Sequence, residues 1–328
     1  MELVVQPLGR SFAVEAGDNL LEVLQANGVP VSYSCRAGRC GTCRCKLVEG
    51  KVLESAGDAK LTNPGGGSHV LACMSVLTES CVVEIPEPDE IVAHPARILK
   101  ASVVAIEDLT HDIKRLVLKS AKPLSFSAGQ YAILQFTPEH IRPYSMAGVA
   151  DDDTLEFHIR KVPGGRVTGY VFDTLRLGDA VRVSGPMGTA YLRRKHEGPV
   201  LCIAGGTGLA PVLSIVRAAT ALKMTNPIHL YFGVRSSADI YGQAWLDELA
   251  QRNPNLHVHV VIATNEPGTR HRLGLVTDAV SADWSDLRGW RAYLCGAPPM
   301  VEAATLIAKA RGIAMEHIYA DAFYASPD

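Results

Sequence analysis

The stretch Ser34-Cys35-Arg36-Ala37-Gly38-Arg39-Cys40-Gly41-Thr42-Cys43 sets three cysteines in a C-x4-C-x2-C run, and Cys73 follows thirty residues after Cys43. Four thiolates at this spacing are the ligand set of a plant-type [2Fe–2S] cluster. Gly38 and Gly41 let the backbone curl tightly and bring its N–H groups towards the sulfides. The alternatives are a structural zinc site, which usually takes paired C-x2-C or C/H knuckles, and a disulfide framework. The single close pair here favours the cluster. Cys35, Cys40, Cys43 and Cys73 are therefore the expected metal ligands, and the chain is expected to pass electrons singly.

Outward from this run, residues 1–90 read as a small α+β unit of β-grasp type. Extended segments are expected at Glu2–Gln6, Ser11–Glu15 and Cys81–Ile85. A helix is expected to start at Asp18, with Leu20, Leu21 and Leu24 on one face and Gly28 as its stop. Pro86-Glu87-Pro88-Asp89-Glu90 is polar and proline-bearing, so a linker is placed through 91–97. Residues 98–196 then carry β-rich segments at Ala101–Ile106, Ile113–Leu118, Tyr131–Phe136, Leu155–Arg160 and Ala180–Ser184, with one helix at Val167–Leu175. Short turns between them predict an antiparallel barrel or sandwich, of which the barrel is the expected form. From 197 to 328, strands at Val200–Ala204, Ile228–Val234, His257–Ile262 and Arg291–Cys295 alternate with helices at Pro211–Leu222, Tyr241–Arg252 and Pro298–Arg311. That alternation predicts a doubly wound parallel sheet.

At 328 residues the chain is long enough for two or three domains, and its net charge of -2 argues against nucleic-acid binding. No apolar run approaches the roughly 18 residues of a membrane span. Met1–Gln6 lacks a basic region leading into a long apolar stretch, so no signal peptide is expected. Cys45, Cys81, Cys202 and Cys295 are scattered, which fits reduced thiols and a cytoplasmic protein.

Several motifs point to bound nucleotides. Val200–Pro211 runs a buried strand through Gly205-Gly206-Thr207-Gly208 into a helix whose N-terminus suits a phosphate, with Pro211 in the first turn. A purely packing role for the same glycines is the competing reading. The end of the next strand supplies Arg235-Ser236-Ser237, which suits a 2′-phosphate, whereas an acid at the ribose would favour NADH. Asp239 lies four residues too far, and Arg235 equally reads as a solvated surface charge, so the coenzyme preference stays open. In the barrel region, Arg142-Pro143-Tyr144-Ser145 offers a cation, an aromatic plane and a hydroxyl for a flavin. His158 and Arg160 lead into Gly164-Gly165-Arg166-Val167-Thr168, a second anion cradle at a helix start. Cys295-Gly296 ends a strand and opens a helix, where a parallel sheet presents ligands. A core strand would equally explain Cys295 and the tail aromatics Tyr319 to Tyr324.

Together these strings resemble the ferredoxin–NAD(P)H reductase superfamily over essentially the whole chain. Their order is that of the reductase components of aromatic-ring-hydroxylating dioxygenases, and the wording is most similar to the naphthalene dioxygenase group. The strings that carry this are Gly38-Arg39-Cys40-Gly41-Thr42-Cys43-Arg44-Cys45, His94-Pro95-Ala96-Arg97-Ile98, Arg142–Gly148, Gly205–Pro211 and His317–Tyr324. The resemblance implies FAD as the flavin, with Arg142, Tyr144 and Ser145 at its ring and phosphate. It implies Gly165, Arg166, Val167 and Thr168 at the pyrophosphate, Gly206, Thr207 and Gly208 on NADH or NADPH, and Cys295 and Gly296 near the nicotinamide. From the residues alone, His158, Arg160 and Arg235 join them as candidate cofactor contacts. Phe323 resembles the aromatic that shields the flavin until nicotinamide displaces it, so Ser145, Cys295 and Phe323 are the implied catalytic residues. Asp321 stands where many relatives carry a glutamate.

The implied activity is hydride transfer from NAD(P)H to flavin, then single-electron transfer through the cluster to a Rieske-type ferredoxin that serves a terminal aromatic oxygenase. A plant-type cluster near about −400 mV would pass electrons downhill to a Rieske cluster, which lies from about −150 mV upward. Arg36, Arg39 and Arg44 either draw in an acidic partner or balance the cluster's charge. A two-component reductase that feeds a hydroxylase directly, and a redox-sensing module without turnover, are the rival readings. A monomer is expected.

Overall fold

The computed structural model describes residues 1–29, 31, 33, 38, 43–54, 60–62, 69–85, 94–265 and 268–324. The chain divides into two compact units, Met1–Ile91 and Val92–Asp328. Cys35, Cys40, Arg36 and Arg39 lie outside the described residues.

In the first unit, β1 (Glu2–Gln6) pairs antiparallel with β2 (Arg10–Ala13). The helix α1 (Leu20–Ala26) buries Leu20, Leu21 and Leu24, the apolar face seen in the sequence. Each fully buried leucine contributes about 2 kcal/mol of transfer free energy. Its cap is Asn19 and not Asp18: the Asn19 side chain accepts from the amide of Glu22 at 3.2 Å, while Asp18 accepts from Glu15 at 2.8 Å and closes the preceding turn. There follow β3 (Arg44–Glu49), β4 (Val52–Glu54), β5 (Lys60–Thr62), β6 (His69–Leu71), β7 (Ser75–Leu77) and β8 (Cys81–Glu84). The main sheet runs β2-β1-β8-β3-β6, with β1 and β8 parallel, and β5-β4-β7 form a second, smaller sheet. A helix packed on a mixed sheet is the expected β-grasp arrangement.

The second unit begins with β9 (Arg97–Asp108), β10 (Ile113–Ser120), β11 (Tyr131–Thr137), β12 (His140–Ser145), β13 (Leu155–Arg160), α2 (Arg166–Asp173) and β14 (Ala180–Met187). These strands form an antiparallel sheet in the order β12-β11-β14-β9-β10-β13. A bridge between Met146 and Phe157 joins its two edges, so the sheet closes into a barrel. Leu116, Leu134, Phe157 and Val183 fill it, and α2 lays Val167 and Val171 on the same core.

The remainder alternates β15 (Val200–Gly205), α3 (Leu209–Ala221), β16 (Ile228–Val234), α4 (Gln243–Arg252), β17 (Leu256–Ile262), β18 (Arg272–Leu273), α5 (Val276–Asp283), β19 (Arg291–Gly296), α6 (Pro298–Ala310) and β20 (Ile318–Ala322). All six strands are parallel, in the order β18-β17-β16-β15-β19-β20. Strand β15 shows why its sequence is apolar throughout. Val200, Cys202 and Ala204 face the core that holds α3, while Leu201 and Ile203 face the core under α5 and α6. The order reverses between β15 and β19, which opens the crevice where such sheets bind ligands. Helix α5 and strand β20 complete the expected layout.

Where the chain leaves the barrel, the guanidinium of buried Arg193 lies 3.8 Å from the ring centre of Tyr191 and 4.1 Å from that of Tyr319 on β20. Its amide donates to the Tyr293 hydroxyl on β19 at 2.8 Å. Among the described residues, no helix is long and apolar enough to cross a membrane.

Candidate active site

In the first unit, Cys43 is buried ahead of β3, and Cys73 sits in the short turn Ala72–Met74 between β6 and β7. The amide of Cys73 points at Cys43 Sγ at 3.5 Å, so two candidate ligands thirty residues apart meet through an N–H···S contact. Asn19 holds this turn by donating to the Cys73 carbonyl at 3.0 Å. Gly38 takes φ +71°, and a Cβ there would press on the Met74 side chain at 2.7 Å. Adjacent thiols with an N–H donor on sulfur fit an iron–sulfur cluster. By contrast, Cys45, Cys81, Cys202 and Cys295 are buried and carry no disulfide, and burial pushes the thiols of Cys45 and Cys202 up to about 12.

On the barrel, strand alternation sends Arg142 and Tyr144 to one side of β12 and buried Ser145 to the other. The Tyr144 hydroxyl is buried without a hydrogen-bond partner, and burial raises its pKa. An orphan donor of this kind fits a ligand oxygen. Beside it, Tyr170 of α2 stacks on His140 with centres 4.5 Å apart. Helix α2 starts at Gly165 with no side-chain cap, leaving its first N–H groups for an anion. Thr168 shapes the approach: it accepts from the Val162 amide at 3.1 Å and donates to the Gly165 carbonyl at 3.3 Å. The Val167 side chain lies in the core, so only its backbone is available to a ligand. Arg166 is exposed, and Arg142 bonds the Ile141 carbonyl at 3.0 Å.

At the crevice, Gly206 turns with φ +54°, and the short 3-10 turn Gly206–Gly208 leads into α3. A Cβ on Gly208 would collide with the Cys295 carbonyl, and one on Gly296 would meet Gly205 O at 2.8 Å. The ends of β15 and β19 thus touch backbone to backbone, and glycine is required at both. This cradle fits a dinucleotide phosphate. Cys295 is fully buried, and burial together with the Asp321 charge pushes its thiol well above the ordinary range, so it stays protonated. Phe323 donates its amide to the Gly296 carbonyl at 2.9 Å, which pins the tail to the crevice.

One contact could not be read from local pattern. Ser145 Oγ donates to Asp321 Oδ2 at 2.8 Å, across 176 residues of chain. Burial raises the half-buried Asp321 carboxyl to about 6, against the lowering effect of that hydrogen bond. Asp239, the acid considered for the ribose, folds back on Ser236, accepting from its amide at 2.9 Å and its hydroxyl at 2.7 Å. Arg235 is exposed at the end of β16. Arg160 donates to Asp112 at 2.7 Å, lies 3.6 Å from Asp239, and comes closest to a Cβ placed on Gly206, at 3.3 Å. Its guanidinium thus lies against two carboxylates, Asp112 and Asp239. His158 departs from the sequence expectation. Its ring is enclosed, with Nε2 on Glu156 at 3.0 Å and Nδ1 on the Tyr241 hydroxyl at 3.1 Å, so the side chain has no free atom for a cofactor.

Three family matches cover the chain in this same order: a 2Fe-2S iron-sulfur cluster binding domain over residues 3–78, an oxidoreductase FAD-binding domain over 100–191, and an oxidoreductase NAD-binding domain over 202–305. The chain belongs to the ferredoxin–NAD(P)H reductase superfamily. The reductase is 60% identical over 324 residues to the ferredoxin–NAD(P)(+) reductase component of the naphthalene 1,2-dioxygenase system of Pseudomonas putida, covering 99% of each chain. It is 59% identical to the reductase component of the naphthalene 1,2-dioxygenase and salicylate 5-hydroxylase systems of a Ralstonia species, again covering 99% of each. Among solved structures it resembles an Amycolatopsis cytochrome P450 reductase, with a TM-score of 0.75, 35% identity and 98% of each chain covered. It is an oxidoreductase that uses FAD, a [2Fe–2S] cluster and NAD(P)H.

Proposed function

We propose that the reductase delivers electrons from NAD(P)H to a Rieske-type ferredoxin, which in turn serves a terminal dioxygenase acting on naphthalene-type aromatic hydrocarbons. The observation that carries this reading is the 60% identity to the Pseudomonas putida component across 99% of both chains, ferredoxin unit included. The protein acts as a cytoplasmic monomer with a cluster domain at 1–90, a flavin barrel at 98–196 and a nicotinamide domain at 197–328.

A bound flavin would supply two-electron acceptance from a nicotinamide coenzyme and single-electron release towards the cluster. Cys35, Cys40, Cys43 and Cys73 hold the cluster. Arg142, Tyr144, Ser145, Gly165, Arg166 and Thr168 hold FAD, with Val167 contributing its backbone. Gly206, Thr207, Gly208, Arg160, Arg235 and Gly296 hold the coenzyme, and Phe323 covers the flavin site between turnovers. The Ser145 hydroxyl is oriented by Asp321, which fixes a donor–acceptor pair at the mouth of the crevice. Cys295 acts as a small neutral wall, since its thiol is held protonated.

The similarity to a cytochrome P450 reductase of the same length supports a second reading, direct transfer to the oxygenase. The two separate when NADH and the cofactor-loaded protein are mixed with a Rieske ferredoxin in one cuvette and a terminal oxygenase alone in another. Fast reduction of the ferredoxin with negligible direct reduction of the oxygenase is expected. Efficient direct reduction of the oxygenase would establish the second reading.

A further inference from the structure

Strand β13 lies at one edge of the barrel sheet, and Glu156, His158 and Arg160 alternate along it towards the nicotinamide half of the unit. Glu156 is buried and accepts from Arg115 at 2.8 Å, from His158 at 3.0 Å and from Arg217 of α3 at 3.4 Å. Arg217 also donates to the Ala147 carbonyl at 3.0 Å, and Ser214 of the same helix to that of Gly148 at 2.6 Å. The helix behind the glycine turn is thus tied to the barrel at two levels. Trp245 of α4 stacks over His158 at 5.8 Å, with Arg115 and Arg217 within 6.0 Å of its ring centre.

The proton assignments follow from charge. Burial opposes ionisation of Glu156, but the hydrogen bonds from His158 and Arg115 and the charge of Arg217 prevail and lower its pKa to about 2. An ionised carboxylate only accepts, so His158 Nε2 must donate to it. Burial lowers the His158 pKa, which leaves the ring neutral and its Nδ1 an acceptor. The Tyr241 hydroxyl faces that nitrogen at 3.1 Å and the Gly206 carbonyl at 3.4 Å, so one hydrogen is shared between a barrel histidine and the peptide of the dinucleotide turn. Tyr241 is itself buried and edge-on to Phe232 of β16 at 5.7 Å, which fixes where the hydroxyl sits.

We propose that Glu156, His158 and Tyr241 form a positioning relay that holds the Gly206 peptide in its left-handed turn, so that coenzyme affinity depends on side chains buried beneath the turn. Gly206 needs such support because its φ of +54° is one that glycine adopts without steric preference. Tyr241 is a positioning residue. The inference rests on the reading that this turn holds the coenzyme.

The test uses the full chain loaded with FAD and cluster, in wild type, Tyr241→Phe and Gly206→Ala. NAD+ and NADP+ are titrated by calorimetry and by flavin absorbance, and NADH turnover is followed with ferricyanide. Tyr241→Phe removes one hydroxyl and no volume of ring. It is expected to raise the nucleotide Kd and the KM for NADH about three- to tenfold, with kcat and FAD content as in wild type. Unchanged Kd and KM in Tyr241→Phe, with weakened binding in Gly206→Ala, would overturn the relay alone. Loss of FAD together with kcat in Tyr241→Phe would make the network a structural clasp and overturn it too. Unchanged nucleotide binding in Gly206→Ala would overturn the assignment of the turn, and the relay with it.

Discussion

At Gly164 glycine stands in open space ahead of a helix start, whereas at Gly208 it closes room between two strand ends. A Cβ on Gly164 would meet nothing within 4 Å, and the loop is instead drawn together by the Thr168 hydroxyl. A Cβ on Gly208 would run into the Cys295 carbonyl. Both turns lead into a helix that has no side-chain cap, so both suit an anion. They differ in what maintains their shape: one side-chain hydroxyl in the first, close backbone packing in the second. The first should therefore tolerate a side chain at Gly164, though not at Gly165, where a Cβ would lie 2.6 Å from Thr168 Oγ1, and the second should fail abruptly at Gly208.

The largest effect is expected from Gly208→Ala. Forcing β15 from β19 should cost about 3 kcal/mol in thermal unfolding and reduce NAD(P)H-driven flavin reduction by stopped flow at least about tenfold. Retention of wild-type rates would show that the strand ends part easily and would erase the contrast.

Acidity separates the turns next. Asp321 lies on β20, whose neighbour β19 ends at Gly296 beside the second turn. Its folded pKa of about 6 is raised above the ordinary 3.8, so its favourable contribution is present below that ordinary value and lost as pH rises through about 6. The rate of flavin reduction should accordingly step near pH 6, and Asp321→Asn should flatten that step and lessen the loss of stability between pH 4 and 7. A step of wild-type size in Asp321→Asn would assign the titration to another group.

A smaller effect is expected from Thr168→Val, which removes both hydroxyl bonds while keeping the shape. The FAD dissociation constant should rise about fivefold with NAD+ binding unaffected, measured by fluorescence and calorimetry. Smallest of all is Gly164→Ala: its φ of +72° costs an alanine about 1 kcal/mol of folding stability, with FAD affinity retained. A collapse of FAD binding in Gly164→Ala would mean that the open space is part of the site.

Much of this architecture was legible because it follows local periodicity. Leu155–Arg160 and Ile228–Val234 form strands with the bounds their patterns indicate, and the run from Val200 into α3 reads directly as strand, turn and helix. The cap of α1 was read one residue early because Asp18 and Asn19 are both good capping residues, and only the observed bonds tell them apart. The strand His140–Ser145 is not among the expected strands, since Pro143 weakens its signal, although Arg142–Ser145 stands out as a functional string. The partners of Ser145 and His158 lie 176 and 83 residues away, on different parts of the unit, and no spacing rule reaches that far. His158 looked like a ligand because it precedes an anion cradle. Its burial against Glu156 and Tyr241 is a property of packing between barrel and sheet, which periodicity does not encode.

Arg193 also limits how the enzyme can be recombined. Its guanidinium lies against one tyrosine from the barrel exit and another from β20, while its amide holds a third on β19. A chimera joined just before β15 would separate these partners and ask a foreign segment to cover Tyr293 and Tyr319. A crossover placed ahead of Thr189 would carry the arginine, Tyr191 and the carbonyls of Thr189 and Tyr191 that it bonds at 3.0 and 2.7 Å, and so transplant the joint intact.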